Sequence, residues 1–184
     1  MAPVPLEEQL RAAGLEVVGC CERLSHWPDL LKHSEVLQDF TPHEADILGA
    51  LMLHVRAAPG QMLIREGEID DWMMLLLRGT VDVGKRIGRD ADHTERGDNT
   101  RLAVLRPGTL LGEMSMFDGE PRYASCWALS EVEAAVLDRA AVARLVTFRP
   151  EIGAKLLVKL TQLLAKRLRN TSAQLVKVLQ RQVA

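Results

Sequence analysis

A carboxylate and a guanidinium, Glu113 and Arg122, frame a short turn in residues 107–126, PGTLLGEMSMFDGEPRYASC. Gly112 precedes the carboxylate, and Met114 and Ser115 follow it. Tyr123, Ala124 and Ser125 lead from the guanidinium into the next strand. Arginine presents a planar fork of donors that matches phosphate oxygens. The backbone N–H groups of such a turn add an anion-binding nest, and Glu113 can accept a hydrogen bond from a sugar hydroxyl. The set suits a small phosphate ester carrying a free sugar hydroxyl. The alternative is a surface ion pair beside a turn, which contributes about 0–1 kcal/mol.

Other chemistry finds less support. The five histidines show neither HxH nor HExxH spacing, so no metal site is expected. Cys20, Cys21 and Cys126 form no CxxC pair and read as small buried hydrophobes. No nucleophile–base pair emerges from spacing, and the chain does not read as an enzyme. At 184 residues, 47% hydrophobic and 26% charged, it suits one soluble globular domain with flanking helices. No apolar run approaches the ~18–20 residues of a membrane span. The N-terminus, MAPVPLEEQL, lacks a signal-peptide pattern, so a cytoplasmic protein is expected. A net charge of −2 leaves no general nucleic-acid footprint. The basic residues after Glu151 (Lys155, Lys159, Lys166, Arg167, Arg169, Lys177 and Arg181) read as the solvated face of an amphipathic helix.

The elements around the turn follow from periodicity and punctuation. Leu6, Leu10, Ala13, Val17, Cys20 and Leu24 recur at steps of four and three, predicting one helical stripe weakened by Gly14. A short helix starts near Pro28, with Leu30, Leu31 and Leu37 as apolar positions. Thr41-Pro42-His43-Glu44 predicts a capping box opening a helix over residues 42–52. Short strands separated by glycine follow, including the continuous apolar run 72–77 and the alternating 80–85, with Gly79 predicting a tight hairpin. Residues 88–101 read as a long polar loop. Further strands are expected over 101–105, 123–129 and 132–137. Asp138 caps a short helix, and from Pro150 a single helix continues to the end. The fold class expected is α+β: an antiparallel β-roll or jelly roll with N-terminal helices and a long C-terminal helix. The division expected is an N-terminal helical segment (1–40), a β-roll with its leading helix (41–138) and C-terminal helices (139–184). A helix of ~30 residues outruns a small β-roll, and a second copy in a twofold coiled coil is the economical partner.

The turn resembles the phosphate-binding cassette of the cyclic-nucleotide-binding domain family. Gly112-Glu113 and Pro121-Arg122-Tyr123-Ala124-Ser125 match its Gly-Glu and Pro-Arg-x-Ala-Ser pattern at the usual spacing. The resemblance covers the chain from roughly residue 31 onward. It implies an eight-stranded β-roll cornered by glycines, and a ligand-binding set of Gly112, Glu113, Met114, Ser115, Arg122, Tyr123, Ala124 and Ser125. It sharpens toward the bacterial catabolite-activator type at Lys166-Arg167-Leu168-Arg169-Asn170-Thr171-Ser172. There the resemblance implies that Thr171 and Ser172 contact the base, the serine from the partner subunit. Their alternative is a bond to their own helix backbone. Tyr123 and Ser115 depart from the usual residues at their positions, and cyclic AMP is the ligand expected, ahead of cyclic GMP or another phosphate-bearing nucleotide.

The catabolite-activator type carries a helix-turn-helix beyond the long helix, whereas this sequence stops at Ala184. The expectation is therefore a homodimeric sensor without direct DNA binding, catalysis or cofactor, acting in trans on an effector protein of unknown identity. The competing reading is a ligand-free β-roll dimerisation or scaffold module. A cupin-type metalloenzyme lacks its two-histidine-plus-carboxylate set. Replacing Arg122 or Glu113 by alanine is expected to abolish binding and leave the fold intact.

Overall fold

The computed structural model describes residues 4–86 and 99–183; of the loop expected at 88–101, residues 88–98 lie outside them, and Asn99, Thr100 and Arg101 belong to a strand instead, paired with Arg86, Lys85 and Gly84. In order come α1 (Leu6–Ala12), β1 (Glu16–Cys20), a 3-10 turn (Leu24–His26), α2 (Pro28–His33) and α3 (Pro42–Gly49). The strands β2 (Leu53–Ala57), β3 (Met62–Ile64), β4 (Trp72–Arg78), β5 (Val81–Arg86), β6 (Asn99–Leu105) and β7 (Leu110–Leu111) follow. The chain ends with α4 (Glu113–Asp118), β8 (Ser125–Ala128), β9 (Val132–Asp138), α5 (Arg139–Phe148) and α6 (Pro150–Val183). The strands form a five-stranded sheet, β1-β2-β9-β4-β7, and a four-stranded sheet, β3-β8-β5-β6. Every pairing is antiparallel. This is an α+β β-roll with N-terminal helices and a long C-terminal helix.

The apolar run in β4 is continuous because both faces of the strand are buried. Trp72, Met74 and Leu76 enter the core shared with the second sheet, beside Ile64, Val81 and Val136. Met73, Leu75 and Leu77 enter a second core, where Leu37, Phe40, Leu48, Leu145, Ile152 and Leu156 cover the outer face. Period-two geometry divides one sequence between two cores. The layer of helices, α6 among them, is thereby fixed to the strand that pairs with β7, and β7 leads into the turn at Gly112.

Three expectations are corrected. The N-terminal stripe is not one helix. Gly14 takes a left-handed φ of 82°, its N–H donates to the Arg11 carbonyl, and Leu15 N–H donates to the Leu10 carbonyl. That is a Schellman cap with its apolar contact, Leu10 and Leu15 sharing one core. Val17 and Cys20 then pair with Val55 and Leu53 in β1 and β2. Gly79 does not close a hairpin, because β4 and β5 belong to different sheets. It turns the chain from one sheet to the other at φ 87°, where an added Cβ would stand 2.2 Å from the Glu131 carbonyl. The α3 capping box forms as expected: Glu44 N–H donates to Thr41 Oγ1 at 3.2 Å, and Thr41 N–H donates to Glu44 Oε2 at 2.8 Å. The helix stops at Gly49 rather than near residue 52: the chain tightens to i→i−3 bonds, Leu51 N–H donating to the Leu48 carbonyl and Met52 N–H to the Gly49 carbonyl. Among the described residues no helix is long and apolar enough to cross a membrane.

Candidate functional site

The pairing of β7 with β4 delivers the chain to Gly112, which adopts φ 77° and starts the short helix α4. Gly119 closes it at φ 74°. Glu113, the first helical residue, is 1% exposed, and Arg122, which returns after the helix, is 2% exposed. The two do not form the surface pair that was the alternative reading. Arg122 donates from Nε to Asp70 Oδ2 at 3.2 Å, from Nη1 to the Gly112 carbonyl at 2.6 Å, and from Nη2 to the Trp72 carbonyl at 2.7 Å. Its Cζ lies 4.3 Å from the Trp72 ring centroid. Burial lowers the guanidinium pKa from its ordinary value while Asp70 opposes the shift; an arginine remains a cation at neutral pH under either influence. Glu113 Oε1 accepts from Nη1 of Arg167 on α6, and Nη2 of Arg167 donates to the Leu110 carbonyl at 2.7 Å.

Both charged groups border one cleft of about 390 Å³. From the cassette it is lined by Gly112, Glu113, Met114, Ser115, Arg122, Tyr123 and Ala124. Val83, Leu102 and Leu105 supply an apolar wall from β5 and β6, and Arg167, Asn170, Thr171 and Gln174 close it from α6. Eight of the ten site residues expected from sequence therefore meet at one cavity. Ser125 and Ser172 are not among its lining. The Ser125 hydroxyl is buried and accepts from Glu66 N–H at 2.9 Å. Thr171 lines the cleft but donates its hydroxyl to the Arg167 carbonyl at 3.0 Å, the backbone bond that was its alternative. Tyr123 is 58% exposed, with Lys85 Nζ 3.9 Å from its ring centroid and 2.7 Å from its carbonyl.

Cys126 also lines the cleft, and burial pushes its thiol up to about 12 against the opposing charge of Arg122. It stays protonated and serves as packing. Cys21 is buried as expected, its thiol raised by burial to about 11, whereas Cys20 is exposed. No group of three or more His, Cys, Asp or Glu side chains among the described residues is placed to hold a metal ion.

Sequence reasoning missed Asp70, the Trp72 carbonyl and Arg167. The first two precede or open an apolar run that reads only as a strand. Arg167 belonged to the basic face of α6, which is more than a solvated face. Lys155 pairs with Glu44 at 2.6 Å, and Lys159 and Lys166 pair with Asp39 and Glu35.

Residues 54–147, half of the chain, match the model of the cyclic nucleotide-binding domain family, and this chain belongs to that family. It is 30% identical over 147 residues to the CRP-like cAMP-activated global transcriptional regulator of Mycobacterium tuberculosis, the match covering 80% of this chain and 61% of that protein. The chain thus spans about three fifths of the length of that curated relative. Among solved structures, a cyclic nucleotide-binding domain from Methylobacillus flagellatus KT is similar with a TM-score of 0.73 and 30% identity, covering 88% of each chain. The catabolite activator protein of Thermus thermophilus is similar with a TM-score of 0.65 and 28% identity, covering 77% of this chain and 62% of the other.

Proposed function

We propose that this chain is a homodimeric cyclic-nucleotide sensor, with cyclic AMP as ligand, that acts in trans on a partner protein through the position of α6. The observation that carries the reading is that buried Glu113 and Arg122 border one cleft while Arg167 of α6 bonds Glu113. Three of the five guanidinium N–H donors of Arg122 are engaged by the protein, leaving two for phosphate oxygens. First-turn N–H groups of α4, at Met114 and Ser115, have no intrahelical acceptor and add to the anion site. Glu113 accepts from the ribose hydroxyl while it holds Arg167, so an occupied cleft and the docked helix share one carboxylate. Ligand binding then biases α6 to the extent that the two helix positions differ in affinity. Thr171 reaches the base from the same chain and Ser172 from the partner subunit, as the family pattern implies, while Ser125 braces the cassette through Glu66 N–H. The curated relative is named as cAMP-activated, which favours cyclic AMP.

A second reading, a ligand-free dimerisation module, is favoured by the internal partners of Arg122 and by Tyr123 at the cleft. Calorimetric titration with cyclic AMP, cyclic GMP and a cyclic dinucleotide separates the two. The sensor reading expects saturable binding of cyclic AMP, weakened about ten- to hundredfold in Arg122→Lys, which keeps the charge and loses the fork. Absence of uptake by the folded protein favours the module. Arg122→Ala is the poorer probe, contrary to the expectation that it spares the fold. It would leave the Asp70 carboxylate without its guanidinium and take a donor from the buried Trp72 carbonyl, a loss of about 3–5 kcal/mol.

A further inference from the structure

The cassette helix α4 is held at both ends, and the hold on its C-terminal end comes from the helix that precedes α6. Arg139, the first residue of α5, donates from Nε to the Met116 carbonyl at 2.7 Å and from Nη2 to the Ser115 carbonyl at 3.4 Å. These are carbonyls of a six-residue helix, where a cation meets the negative end of the backbone dipoles. The Arg139 backbone N–H donates to the Asp71 carbonyl at 2.9 Å. Asp71 follows Asp70, the carboxylate that holds Arg122. Two routes therefore run from Arg122 to one residue. One passes through Asp70 and Asp71 to the Arg139 main chain. The other passes through the Gly112 carbonyl and α4 to the Arg139 side chain.

From Arg139 the connection continues to α6 without a gap. Asp138 caps α5 by accepting from Ala141 N–H at 2.6 Å. Gly153 of α6 packs so closely on α5 that an added Cβ would stand 2.8 Å from Val146 Cα. Arg167 of α6 then returns to Glu113, at the other end of α4. Cassette, α5 and α6 form a closed ring of contacts, with Arg139 as its link opposite Arg167.

We propose that Arg139 is a positioning residue that couples the cassette to the α5–α6 pair, so that a change at Arg122 or Glu113 reaches α6 from both ends of α4. The proposal rests on the sensor reading for its ligand-dependent part and on geometry alone for its ligand-free part. Hydrogen exchange on the wild type, Arg139→Gln and Arg139→Lys, without ligand and with saturating cyclic AMP, tests both. Without ligand, Arg139→Gln should speed exchange in α4 and α5 at least about tenfold while β4 and β9 keep their protection. Arg139→Lys, which keeps the charge and one carbonyl bond, should fall between. With cyclic AMP, the change in α6 seen for the wild type should shrink severalfold in Arg139→Gln although the nucleotide still binds. Faster exchange spread evenly over both sheets, or an α6 response equal to wild type, overturns the coupling. If the wild type takes up no nucleotide, the sensor reading fails, and the ligand-free exchange pattern still decides for or against the link at Arg139.

Discussion

At Gly112 two constraints fall on one residue. Its φ of 77° is left-handed, and an added Cβ would stand 2.6 Å from Arg122 Nη1 and 3.0 Å from Ile64 Cδ1. Arg122 cannot yield freely, because its three nitrogens are tied to Asp70, Gly112 and Trp72. Gly112→Ala should therefore destabilise the protein by about 1–2 kcal/mol from the backbone alone and also displace the guanidinium. Gly119 provides the control, with φ 74° and its nearest contact at 3.9 Å. Thermal unfolding should fall in both variants, whereas calorimetric affinity for cyclic AMP should fall only in Gly112→Ala. Equal affinities would separate the glycine from the placement of Arg122. Glu113 and Arg122 were legible in the sequence because a local spacing carries them. Their partners were not: Asp70, Trp72 and Arg167 lie 52, 50 and 54 positions away. Folding alone brings such residues together, and no periodicity announces them.

The elements show the same division between local and distant causes. The α3 start was readable because a capping box is a contact between residues three apart. The end of α1 was open to reading from Gly14, yet the steps of four and three through Val17 and Cys20 continue the helical period, and in the strand these two residues fall on opposite faces. Pairing with β2 decides for the strand. Glu44 joins a local cap to a distant helix, since its carboxylate also pairs with Lys155 on α6. Its pKa is lowered from 4.5 to about 2, first by the Lys155 hydrogen bond and then by the Thr41 backbone N–H. A carboxylate depressed in the folded state contributes stability that is fully present above its unfolded value and is lost as pH falls toward the folded one. The stability gap between wild type and Glu44→Gln in urea should thus be constant above about pH 5 and close progressively between pH 4.5 and 2. A gap that stays constant down to pH 2 would remove the Lys155–Glu44 pair from the forces that dock α6.

Over the whole molecule, α6 has two halves with different surroundings. Ile152, Leu156, Leu160 and Leu163 are buried in the helical core, whereas Leu168 is 69% exposed, Leu175 58% and Val178 51%. At 34 residues the helix is about 51 Å long, and its core contacts cover less than half of that length. Leu164, Leu168, Thr171, Leu175 and Val178 recur at steps of four and three, the spacing of a coiled-coil seam. In the proposed homodimer a second copy of the helix covers this seam, and Thr171 then lies where the seam passes the cleft. Sedimentation should give a dimer for the wild type. The double variant Leu168→Asp/Leu175→Asp should raise the dimer dissociation constant at least about a hundredfold, since each seam position would bury an unpaired charge. The β-roll does not use these two side chains, so its unfolding should be little changed. The same variant decides where the base is covered. If Ser172 of one copy reaches the cleft of the other, cyclic AMP affinity should fall with dimerisation and depend on protein concentration. If Thr171 and Arg167 of the same chain suffice, the monomer should bind as the dimer does. A wild type that is monomeric at high concentration would leave the exposed half of α6 for a different protein, and the search for the effector would start there.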